Sequence, residues 1–83
     1  MIVEYDEKKN QRNLKKYHIS IPELVTIFDN SFTIPKMDIP DKVHIKWECR
    51  YWAYGWTSTG WYVWIWYTYR KGKVRIIGGK KLK

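Results

Sequence analysis

Residues 61–69, Trp-Tyr-Val-Trp-Ile-Trp-Tyr-Thr-Tyr, are apolar or aromatic at odd and even positions alike. Extended, the run puts Trp61, Val63, Ile65 and Tyr67 on one face and Tyr62, Trp64 and Trp66 on the other, so the strand belongs in the middle of a sheet. The rest of an 83-residue chain must be arranged around it. Ser58-Thr59-Gly60 before it and Lys71-Gly72 after it supply hairpin turns. On the upstream side, Val43, Ile45, Trp47 and Cys49 alternate with His44, Lys46, Glu48 and Arg50, and the strand pattern continues through Trp56. On the downstream side, Val74 and Ile76 share one face and Arg75 takes the other. Gly78-Gly79 is expected to end this last strand and residues 80–83 to fray.

The first half reads differently. Residues 2–5 form a short strand, and Asp6 stands where an N-cap belongs. The helix that follows, to about Tyr17, is mostly cationic, with Leu14 and Tyr17 as its apolar anchors. Ser20 and Glu23 have capping-box spacing, Pro22 lies in the tolerated first turn, and Ile21, Leu24, Val25 and Phe28 make one helical stripe that Asp29-Asn30 ends. Pro35 and Pro40 bracket a connecting stretch with a short edge strand expected around residues 32–34. The fold class is therefore α+β: a strand, two helices, then an antiparallel meander of about four strands with both helices packed on one face. Residues 1–83 form a single domain.

Charge is distributed as unevenly as hydrophobicity. Residues 1–48 carry eight basic and eight acidic side chains, whereas residues 49–83 carry eight basic and none acidic, so the whole formal charge of +8 lies there. All six tryptophans fall from Trp47 onward. Cations attract phosphates and flat rings stack on unpaired bases, which points to single-stranded nucleic acid. The lone Cys49 excludes an internal disulfide framework and a cysteine-based zinc site, and reads as a small apolar filler. No carboxylate cluster suits magnesium, and so small a core holds no buried cofactor, so neither metal nor cofactor is expected. Without a signal-peptide pattern or a run of roughly 20 apolar residues, the expectation is a cytoplasmic protein with no membrane partner.

Tyr5-Asp6, Lys9, Asn13-Leu14-Lys15-Lys16, Ile19-Ser20, Glu23 and Ile27-Phe28-Asp29 resemble the opening signature of the BrnT toxins. Asp41, His44, Glu48, Arg50, Gly55, Thr59-Gly60, Tyr67-Thr68, Arg70, Gly72 and Arg75-Ile76-Ile77 follow in that family's order. The resemblance implies a RelE-like ribonuclease toxin of a type II toxin-antitoxin pair that cuts RNA and arrests translation. Its implied partner is a ribbon-helix-helix antitoxin of the BrnA kind, through which alone the complex touches DNA. Three departures stand out: Trp61 where the family has Arg, Gly78-Gly79-Lys80 where it has Ser-Ala-Arg, and Tyr17-His18 where it has His-Gly.

Metal-free RNA cleavage requires a base for the 2′-hydroxyl, cations for the phosphorane and an acid for the leaving oxygen. Arg75 is the leading candidate for the phosphorane, and Arg70 for a neighbouring phosphate. His44 and Glu48 form the natural proton-transfer pair, with Arg50 completing the catalytic set. Lys71, Lys73, Lys80, Lys81 and Trp61 are the candidate RNA-binding residues. Ordinary alternatives exist for each: solvated strand arginines, a Glu48–Arg50 ion pair, and tryptophans packed in the core. As a function, ribonuclease toxin competes with a non-enzymatic single-stranded nucleic-acid binder and with a weakened or engineered toxin relative.

Overall fold

The computed structural model describes residues 2–29, 34–40 and 49–82. Its elements are β1 (Val3–Tyr5), α1 (Glu7–Tyr17), α2 (Ile21–Val25) with a 3-10 turn (Thr26–Phe28), β2 (Lys36–Pro40), β3 (Arg50–Trp56), β4 (Tyr62–Arg70) and β5 (Lys73–Lys81). They make one five-stranded sheet in the order β1-β5-β4-β3-β2. All neighbours run antiparallel except β1, which lies parallel to β5. The α+β class follows the sequence. The edge strand of the connecting stretch is β2, at Lys36–Pro40 and so later than expected, with Pro40 at its end on the sheet edge, where the ring interrupts no further pairing. Ile34 is not in a strand, and residues 30–33 and 41–48 lie outside the described residues.

β4 is central, as its two-faced apolar pattern requires. Val63, Ile65 and Tyr67 are fully buried with Ala53, Val74 and Ile76 under Ile21, Leu24 and Ile27 of α2 and the 3-10 turn. Ser20 caps α2 by accepting from the Glu23 amide. Asp6 does the same for α1 through the Lys8 amide.

Of the two expected apolar anchors of α1, Tyr17 packs against the core and Leu14 does not. Leu14 is 44% exposed, while the buried residues of the helix are Asn10 and Asn13. Asn10 Oδ1 accepts from the Ile21 amide at 2.8 Å. Asn13 Nδ2 donates to the Ile19 carbonyl at 2.8 Å, and its Oδ1 accepts from the Gly79 amide at 3.0 Å. Two side-chain amides thus satisfy buried backbone groups of the following loop and of β5, and these bonds hold the helix where apolar area is scarce. His18 ends α1 in the left-handed region (φ 59°), its amide bonded to the Leu14 carbonyl.

Gly78 and Gly79 do not end β5. The strand runs on to Lys81 through a register shift opposite Trp66 and Tyr67, and the Leu82 amide bonds the Tyr62 carbonyl at 2.8 Å. A Cβ on Gly79 would lie 2.7 Å from Leu24 Cδ1 and 2.8 Å from Ile65 Cγ2, and one on Gly78 would lie 2.9 Å from Trp66 Cζ2. The glycines mark close approach inside a strand, a reading the sequence does not separate from a terminator. Cys49 is exposed and fills no core space.

Candidate nucleic-acid interface

The face of the sheet opposite α2 carries the outward residues of β3, β4 and β5. Register fixes its first row: Arg50 pairs with Thr68, Thr68 with Arg75, and Arg75 with Glu4. Arg75 Nη1 lies 3.5 Å from Glu4 Oε1. Thr68, nearly buried, donates to the Cys49 carbonyl at 2.7 Å and holds the start of β3 against β4. Arg50 Nε is buried and, among the described residues, has no hydrogen-bond partner.

Lys9 reaches this row from α1. Burial holds its ammonium below the ordinary value, the Arg75 and Arg50 guanidiniums push it the same way, Asp6 opposes them and Arg12 adds to the depression. Four cations from three elements thus share one region although the sequence separates Lys9 and Arg12 from Arg75 by more than sixty residues. Beside them an open cleft of about 220 Å³ lies between the cationic side of α1 and Trp66, with Gly78 in its lining.

Aromatic rings continue the surface. Trp64 meets Trp52 at 5.0 Å and Trp66 at 5.2 Å between centroids, and lies parallel to Tyr54 within 10° at 6.2 Å. Tyr17 closes the series edge to face with Trp66 at 6.0 Å. The Lys80 ammonium sits 5.0 Å above Trp64. These outward rings are only partly buried, so the face pairs apolar area with cations.

A family model for the ribonuclease toxin BrnT of type II toxin-antitoxin systems matches residues 5–83. The chain belongs to the BrnT toxin family. Membership implies an antitoxin partner. No curated protein matches the chain. Among solved structures it is similar to the Brucella abortus ribonuclease toxin BrnT, solved at 1.1 Å, with a TM-score of 0.66 over 100% of this chain and 97% of that chain. At 14% identity the likeness is one of fold. No described helix is long and apolar enough to cross a membrane.

Against this family frame, the residues singled out in the sequence fall into separate groups. Arg75 and Arg50 come together across Thr68, and Arg70 opposite Lys73 forms the next row outward, with Lys71 in the adjoining turn at φ 52°. His44 and Glu48 lie outside the described residues. Lys80, Lys81 and Trp61 stand toward the other end: Lys81 is six residues along β5 from Arg75, roughly 20 Å, opposes the buried Val63, and places its ammonium 4.1 Å over the Trp61 ring. Lys9 and Arg12 are not among the candidate site residues of the sequence, because a cationic helix face is ordinarily solvated. The Lys9 and Asn13 positions of the family signature were the available signal.

Proposed function

We propose that this BrnT-family chain is a metal-independent RNA endonuclease that arrests translation in the cytoplasm and is restrained by a ribbon-helix-helix antitoxin of the BrnA kind, through which alone it touches DNA. The observation that carries the reading is the Arg50–Thr68–Arg75 row with Lys9 beside it. Fixed guanidiniums bind phosphate bidentately and stabilise the charge that grows on the phosphorane, which is the work a metal ion would otherwise do. Arg70, Lys71 and Lys73 serve the neighbouring phosphate, and Lys80, Lys81 and Trp61 serve the strand further along. Proton transfer stays with His44 and Glu48 on sequence grounds. Unpaired bases stack along Trp66, Trp64 and Trp52.

Incubation with total RNA in chelator tests the reading. Fragments that disappear in Arg75→Ala support it. Retardation without fragments supports the second reading, a non-enzymatic single-stranded binder, which the continuous aromatic face favours on its own.

A further inference from the structure

We propose that the cleft between α1 and Trp66 is a base-binding subsite that selects guanine next to the phosphate held by Arg50 and Arg75. The inference rests on the nucleic-acid reading above, though not on cleavage. The Trp66 ring lies against the backbone of Gly78, where a side chain would collide with it at 2.9 Å, so the indole forms a floor on the strand itself. Tyr17 meets that ring edge to face at an interplanar angle of 87° and so stands as a wall. A planar ligand is the shape that fits a flat floor with an upright wall.

The opposite lining selects among planar ligands. Lys9, Arg12 and Lys16 follow one another at i, i+3 and i+7 and therefore share one side of α1, and all three line the cleft. Asn13 lies among them, but its amide is spent: Oδ1 accepts from Gly79 and Nδ2 donates to Ile19. The polar side chains that α1 leaves available are thus hydrogen-bond donors. A base with two acceptors on one edge suits them, and guanine presents N7 and O6 together, whereas adenine puts an amino donor beside N7. Cytosine likewise turns an amino donor outward, and uracil covers less of the floor. Position agrees with chemistry, because Trp66 is one outward step from Thr68 on β4, about 7 Å, and Thr68 lies between Arg50 and Arg75. The base on Trp66 then belongs to the nucleotide adjoining the phosphate in the arginine row.

The test uses oligouridylate pentamers carrying one G, A or C at the centre, with 2′-deoxy sugars throughout so that no 2′-hydroxyl is present for cleavage. Binding is followed by tryptophan fluorescence in low salt. We expect the G pentamer to bind at least about fivefold tighter than the A pentamer, the lower end of what one bidentate base contact discriminates. In Arg12→Gln/Lys16→Gln the G:A ratio should collapse toward one while binding of the A pentamer weakens less. Both side chains are exposed, so the fold is not at stake. Equal affinity for G and A in the unaltered protein overturns the proposal, and a ratio that survives the double substitution overturns its location. A chain that prefers guanine here but cuts no RNA loses the endonuclease reading and keeps the subsite.

Discussion

Glu4 and Arg75 face one another in register on two parallel strands, with a carboxylate oxygen 3.5 Å from a guanidinium nitrogen. Both side chains are partly solvated, so the pair adds little to stability, about 0–1 kcal/mol. Its effect on a phosphate ligand is larger in kind, because a fixed anion beside the arginine repels what the arginine attracts. Glu4→Gln is therefore expected to leave the urea midpoint almost unchanged and to raise RNA affinity severalfold at low salt. Filter binding beside an unfolding curve checks both halves. Weaker binding would mean that Glu4 chiefly orients Arg75.

Restoring the family residue at Gly79 carries a structural penalty. An alanine Cβ there would sit 2.7 Å from Leu24 Cδ1 and 2.9 Å from the Trp64 carbonyl oxygen, and backbone moves less readily than a leucine tip. Overpacking of this order costs about 1–3 kcal/mol, so Gly79→Ala should lower the chemical-denaturation midpoint without abolishing the fold. Trp61→Arg, at a ring 40% exposed, should be tolerated. If Gly79→Ala leaves stability intact, the packing of α2 on β5 yields to an added methyl group.

Lys9 gives a pH dependence of known sign. Burial, then Arg75 and Arg50, hold its ammonium below the ordinary 10.5, so the folded state releases this proton at a lower pH than the unfolded chain. Charged Lys9 opposes folding at neutral pH. That opposition lifts as pH rises through the folded value toward 10.5. Lys9→Met should accordingly be more stable than the parent at pH 7, with a margin that narrows as alkaline pH is approached, while RNA binding falls. Tyr67, buried, and Tyr69, partly desolvated though exposed, keep their hydroxyl protons beyond the usual range and donate to Asp38, but they are present in both proteins and cancel in the difference. A margin constant across pH would remove the like-charge cluster as its cause.

Period and capping made most of the architecture legible: the two-faced run at Tyr62–Arg70 demanded a central strand, and Ser20 with Glu23 placed the start of α2. What stayed hidden depends on who the neighbours are. Asn10 and Asn13 look like solvent-facing helix residues until the backbone groups they satisfy are known, and Gly78-Gly79 reads as a terminator until Trp66 and Leu24 are seen above it. The candidate site was half legible for the same reason. Arg75 announced itself by strand parity, but the proximity of Lys9 to it is a property of the β1–β5 pairing, which brings the N-terminus beside the last strand.

That pairing decides which charges matter for RNA. Division of the chain by sequence would set the cations of α1 against those of the C-terminal hairpin, yet Lys9 lies with Arg50 and Arg75, whereas Lys81 stands over Trp61 at the other end of β5. Lys8 and Lys15 line a groove with Gln11 on another part of α1. Two triple variants with equal net charge separate these regions: Lys9→Gln/Arg50→Gln/Arg75→Gln and Lys8→Gln/Lys15→Gln/Lys81→Gln. Each phosphate contact to a single strand contributes about 0.7 to the slope of log affinity against log salt, so loss of all contacts in the first set should flatten the slope by about 2. The second set should flatten the slope by no more than about 0.7, the share of Lys81, and weaken binding only slightly. Because net charge falls equally in both, a difference can arise only from where the cations sit. Binding of a single-stranded RNA over a salt series reads it directly, and equal losses with equal slopes would reduce the arginine row to one patch of a diffuse positive surface.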